Sequence, residues 1–241
     1  QEFKGSMFLN KGDPFTAVVV VNPLPKATGT PMNQEICSGS PFQSLVIKTL
    51  PNFPGTTFRW LRDKGDLYSG EVSGLKANDA GPLAQTLTIA GVPLYNNTGT
   101  PQTVTFSFIP TSPDGCDGDT LKMTIKVKPT PLVSVSLETW EVCTGKIAYK
   151  IASTDLPTVI VNWSITYPTG VTGTIAKTGT ATVTTINPLL LTGTLTNNTA
   201  TRQTVLLRFT PFADGCPGIP VLQEINIDPV TTVSKPVIIH A

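Results

Sequence analysis

An all-β fold of two tandem β-sandwich domains is what this sequence predicts, and three observations predict it. A frame of ordered landmarks is written twice about one domain length apart. Threonine, glycine and proline are abundant while charged residues are sparse. Apolar and polar residues alternate in short runs, the period of half-buried strands.

The repeat comes first because it fixes the organisation. "NNTGTPQTVTFSFIPTSPDGCDG", residues 96–118, returns as "NNTATRQTVLLRFTPFADGCPG", residues 197–218. Upstream of each copy stands a Cys-Gly motif, "ICSG" at Ile36 to Gly39 and "VCTG" at Val142 to Gly145. Each is followed by an alternating segment ending in tryptophan, Trp60 and Trp163. Each copy closes with an alternating stretch and a proline, "LKMTIKVKP" to Pro129 and "VLQEINIDP" to Pro229. Six landmarks in one order at one period divide the chain into a first repeat over 23–129 and a second over 130–229. Residues 1–22 read as an appended stretch, Gln1 to Ser6, followed by the closing strand of a preceding repeat. Residues 230–241 read as a linker or the start of a following one, so the chain reads as an excerpt of a longer array.

Composition bounds the function. Lys+Arg of 17 against Asp+Glu of 16 leave a formal charge of +1, so bulk charge attracts neither nucleic acid nor an anionic membrane. The 38 threonines, 20 glycines and 22 prolines favour strands and turns, since Thr loses side-chain freedom in a helix and Pro breaks it. The aliphatic run Ala17 to Val21 is too short to span a bilayer. No secretory leader is legible at the start, so an oxidising, extracellular setting is argued from four cysteines, two at matching places in each repeat.

The strands follow in order. "SLVIKTL" and "KIAYKIA" come after the two Cys-Gly motifs, then the tryptophan segments through Phe58 and Trp60 and through Val159, Val161 and Trp163. Val104, Phe106 and Phe108 alternate in the next strand of the first repeat, and Val205, Leu207 and Phe209 in the second. With an initial strand such as "LVSVSL", each repeat offers about seven short strands, the number of an immunoglobulin-like sandwich. The expected core is therefore Trp60, Trp163, Phe106, Phe108, Leu207 and Phe209, the indoles spanning two sheets about 10 Å apart. Lys122, Lys126 and Lys128 line the opposite face of the closing strand and read as an exposed or edge strand guarded against edge-to-edge pairing.

Together, "CSG", "FRW", "NNTGTPQTVTFSFIPTSPDGCDG" and "IKVKPTP", with their second copies, resemble the PKD-like repeats of very large Bacteroidetes surface adhesins exported by the type IX secretion pathway, gliding-motility adhesins among them. The resemblance covers residues 23 to 229. It implies β-sandwich modules in long tandem arrays at the cell surface, without catalysis of their own and without cofactors. It also implies neighbouring repeats of the same chain as partners and surface polysaccharide or glycans as a possible target class. The second copy departs mildly, with Ala-Thr-Arg for Gly-Thr-Pro and Pro217 for Asp117.

Disulfides are expected within each repeat, Cys37–Cys116 and Cys143–Cys216, each worth about 4–5 kcal/mol of loop-closure entropy. Topology speaks against that pairing. If the strand after Cys-Gly pairs with the tryptophan strand, which pairs antiparallel with "TVTFSF", the two cysteines fall at opposite ends of a sandwich, beyond the ~7 Å Cα separation a disulfide spans. A loop folding back, a staggered Cys37–Cys216 bond and free thiols remain as alternatives.

No nucleophile–histidine centre can be assembled, because the sole histidine is His240. Asp114, Asp117 and Asp119 in "DGCDGD" are candidate ligands for a hard cation, set against the plainer reading that Asp and Gly build a tight turn. No metal site is therefore assigned. The glycosylation-like triplets at Asn96 and Asn197 read as turns, and that at Asn162 as chance beside a tryptophan; "DTL" at Asp119 to Leu121 is only three letters of a modification motif. The function expected is a monomeric, non-enzymatic spacer segment of a secreted surface adhesin. The rival is a carbohydrate-binding module, for which Tyr68, Tyr95 and Trp140 are the aromatics to test; an accessory region of a secreted hydrolase is a third reading.

Overall fold

The computed structural model describes residues 16–50, 53–63, 86–141 and 145–230. Tyr68, Cys143 and His240 lie outside the described residues, as do 1–15 and 231–241. Everything regular among the described residues is strand.

The first repeat holds β1 (Ala27–Thr30), β2 (Asn33–Cys37), β3 (Leu45–Thr49), β4 (Thr57–Arg62), β5 (Thr86–Ile89), β6 (Gln102–Thr111) and β7 (Leu121–Lys128). One sheet runs β1-β3-β5 and the other β2-β7-β6-β4. The second repeat holds β8 (Val133–Glu141), β9 (Lys146–Ser153), β10 (Val159–Thr166), β11 (Val171–Gly173), β12 (Thr178–Val183), β13 (Leu189–Asn197), β14 (Gln203–Ala213), β15 (Cys216–Pro217) and β16 (Val221–Ile227). Its sheets run β11-β13-β9-β8 and β12-β10-β14-β15, with β16 also on β14. These are immunoglobulin-like sandwiches, each closing its own apolar interior.

Alternation dictates what each strand buries. Val104, Phe106 and Phe108 of β6 and Met123, Ile125 and Val127 of β7 are fully buried. Burying one such side chain stabilises by about 1.5–3 kcal/mol. Trp60 sits opposite Phe108 in the β4–β6 ladder, with its ring centroid 6.1 Å from that of Phe106. The second interior is mostly aliphatic around Leu207 and Phe209, with Tyr149 6.2 Å from Phe209. Trp163 occupies the position of Trp60 opposite Phe209 but is only half-buried, and its indole N–H has no acceptor. Gly179 lies flat against that indole, where a Cβ would collide with the ring.

Two expectations are corrected. The strand after the first Cys-Gly motif, β3, pairs with β1 and β5 and not with the tryptophan strand, so these two lie in opposite sheets. And β7 is no edge: it runs antiparallel to β6 on one side and parallel to β2 on the other. Its lysines point outward, where Lys126 and Lys128 meet Glu35 of β2 at 3.2 and 3.3 Å. These cross-strand ion pairs hold the Glu35 carboxyl below its ordinary range, chiefly through the Lys126 hydrogen bond and then that of Lys128.

Candidate functional site at the repeat joint

A disulfide and a hydrogen bond cross between the repeats where β7 hands the chain to β8. Because β2 runs parallel to β7, it delivers Cys37 beside Lys128 at the outgoing end of the first repeat. In the second repeat the chain leaving β14 turns through Asp214 and Gly215, both at positive φ (48° and 79°), which sets β15 back against β14 with Ala213 opposite Cys216. The two cysteines meet there: Cys37 and Cys216 form a disulfide with a Cα–Cα separation of 5.5 Å. Lys128, already held by Glu35, donates from Nζ to the carbonyl oxygen of Asp214 at 3.0 Å. Gly99 of the first repeat lies against the backbone carbonyl of Asp155 in the second, a packing with no room for a side chain.

This overturns the pairing within repeats. Cys37 stands at the last residue of β7's register and Cys116 before its first, so the length of β7, eight residues at ~3.3 Å each, separates them. That is several times the reach of a disulfide. Cys116 is a free thiol, half-buried, and Cys216 is committed to Cys37 and not to Cys143.

Two of the three clustered aspartates are drawn onto separate partners, and Asp119 joins neither. Asp117 forms an ion pair with Arg59 and accepts from Thr111 Oγ1 at 2.7 Å. The Thr111 hydrogen bond and then Arg59 hold its carboxyl below the ordinary range. Asp114 instead accepts from Asn22 Nδ2 at 3.1 Å. No group of three or more potential metal ligands converges among the described residues.

Both Asn-Asn-Thr turns are built alike. Asn96 is 2% exposed and donates from Nδ2 to the carbonyls of Thr100 (2.8 Å) and Val127 (2.9 Å), while its Oδ1 accepts from the N–H and hydroxyl of Thr98. Asn197 repeats this with Thr201, Ile227 and Thr199. A glycan on either amide nitrogen would break a buried hydrogen bond, so these are structural turns. Asn162 faces outward on β10, accepting from Thr180. Of the candidate glycan-stacking aromatics, Tyr95 lies over Gly39 with 37% exposure, and Trp140 packs against the second interior.

Sequence reasoning placed Lys128 at the start of the Pro-containing joint, Lys128 to Pro131, but missed Glu35 and the carbonyl of Asp214 as its partners there. The disulfide suits an oxidising environment outside the cytoplasm. No helix among the described residues is long and apolar enough to cross a membrane.

The D00-D0 domain of intimin is similar at 13% identity, covering 82% of this chain and 98% of that one, with a TM-score of 0.37. The FN1-FN3 domains of chicken CNTN1 are similar at 13% identity, covering 85% and 66%, with a TM-score of 0.30. The fibronectin(III)-like modules of Clostridium thermocellum CbhA match at 12% identity over 85% and 95%, also at 0.30. No curated protein matches the chain. The model of the PKD-like domain matches twice, over residues 34–131 and 140–231, so the chain belongs to the PKD-like domain family, once in each repeat.

Proposed function

We propose that this chain is a non-enzymatic spacer segment of a large secreted bacterial surface adhesin. In this reading residues 23–129 and 130–229 are its two modules, and gliding motility is among the roles such an adhesin serves. The observation that carries the reading is the Cys37–Cys216 bond, which ties one module to the next and leaves each interior intact. A bond placed between modules adds nothing to a catalytic pocket and much to their relative order. The family match and the resemblance of both repeats to surface-adhesin arrays support the adhesin assignment.

The test pairs a glycan array with small-angle scattering of the intact chain. The spacer reading expects no glycan retained, and one well-defined particle dimension that broadens on mild reduction. Selective glycan binding lost on Trp140→Ala or Tyr95→Ala would replace it with the carbohydrate-binding reading.

A further inference from the structure

Deepening the spacer reading, on which this rests, we propose that Cys116 is the receiving half of a second disulfide between repeats. Its partner is the Cys-Gly cysteine of a further PKD-like repeat that uses residues 16–22 as its closing strand.

The first support is that Cys116 holds the position of a cysteine already bonded to a neighbouring repeat. Gly118 N–H donates to the Pro110 carbonyl at 2.8 Å, as Gly218 N–H does to Pro211 at 2.7 Å. Gly115 and Gly215 share a φ near 80°. Cys216, in one loop, is 1% exposed beneath Cys37, whereas Cys116, in the other, is a free thiol and more open.

The track by which the chain arrives is a second, independent support. The carbonyl of Pro25 packs on Gly118 where the carbonyl of Pro131 packs on Gly218; a Cβ on either glycine would fall on that oxygen. Counting back from these prolines, Asn22 takes the place of Lys128. Asn22 donates to the Asp114 carboxylate, at the loop position where Lys128 donates to the backbone carbonyl of Asp214. Val18 to Val21 then correspond to Thr124 to Val127, the stretch of β7 that pairs with β2 from Asn33 to Ile36.

Those four valines are 77–85% exposed, and no strand among the described residues pairs with them. Four consecutive β-branched apolar residues in water are what a closing strand looks like without its sheet. A strand laid parallel on them in the register of β2 sets its Cys-Gly cysteine beside Asn22. That cysteine then stands to Cys116 as Cys37, beside Lys128, stands to Cys216.

Bond formation joins the two thiol sulfurs. Two protons and two electrons pass to a disulfide oxidant, a thiol–disulfide oxidoreductase or oxidised glutathione, which leaves as two thiols.

The experiment uses the intact chain and a longer one in which residues 23–128 are duplicated in tandem. Both are alkylated without reductant and mapped by non-reducing peptide mass spectrometry. In the intact chain Cys116 is expected to be alkylated, alongside a Cys37–Cys216 peptide. In the longer chain a Cys37–Cys116 peptide is expected, with one of the two Cys116 thiols protected. Cys37→Ser in the first copy should abolish that peptide; in the second copy it should spare it and remove Cys37–Cys216. Alkylation of both Cys116 residues in the longer chain overturns the proposal, as does a Cys116–Cys143 bond in the intact chain. Neither outcome touches the spacer reading, which is tested separately by glycan binding and by scattering.

Discussion

The two repeats share a frame, yet they place the strand that carries their Cys-Gly motif differently. In the first, β1 pairs with β3 as far as Thr30; the chain then passes Pro31 and crosses to the other sheet as β2, parallel to β7. In the second, β8 stays on β9 from Val133 to Glu141, with only a register shift between Leu137 and Thr139. By the spacing of the two Cys-Gly motifs, Leu137 is the counterpart of Pro31. Proline offers no N–H to a ladder and ends it; leucine lets it continue through a bulge. The change of sheet thus coincides with the ladder break at Pro31. The outcome is a β7 paired on both sides and a β16 whose second edge is open among the described residues.

The largest difference we expect between the repeats lies in their tryptophans. Trp60→Ala should cost about 3–5 kcal/mol in urea unfolding, the usual range for a buried aromatic. Trp163→Ala should cost clearly less, since its ring is only partly buried and its N–H unpaired. Equal losses would mean that the second indole is as well packed as the first.

Next comes the asymmetric staple. Cys216→Ser should destabilise the chain by about 2–5 kcal/mol, and should split a joint unfolding transition into two that calorimetry resolves. A single unchanged transition would show that the repeats never depended on the bond.

The Asn-Asn-Thr turns predict equality instead. Asn96→Ala and Asn197→Ala should each cost about 1–3 kcal/mol, because each leaves buried carbonyls unsatisfied. A difference larger than 1 kcal/mol or so between them would break the equivalence that their matching hydrogen bonds imply.

The smallest effect is electrostatic. The folded carboxyls of Glu35 and Asp117 in the first repeat and Asp228 in the second titrate below their unfolded values. Their contribution is complete above the unfolded carboxylate range, about pH 4, and fades as pH falls through the lowered folded values. Glu35→Gln should slightly flatten the acid side of the stability profile, and 1 M salt should mimic it, since the pair is exposed.

Much of this was legible in the sequence, for local reasons. Alternation through Val104, Phe106 and Phe108 reports a face, and a face is a property of the strand itself. The turns at Asn96 and Asn197 were legible because the same short triplet opened both copies. What stayed hidden depended on which strands neighbour one another. Parallel pairing of β2 with β7 follows the break at Pro31, and that pairing brings Cys37 to Cys216 and Glu35 to the lysines. Spacing within one repeat favoured Cys37–Cys116, and the eight-residue length of β7 ruled it out.

The joint has a mechanical corollary. Cys37 and Lys128 are neighbours across one strand pair, so sulfur and backbone leave the first repeat side by side and enter the second together. A lone peptide connection is a swivel, free to twist and to tilt in every direction. Two parallel tethers about 5 Å apart suppress the twist and leave chiefly one direction of bending, so a torque applied at one module is passed to the next.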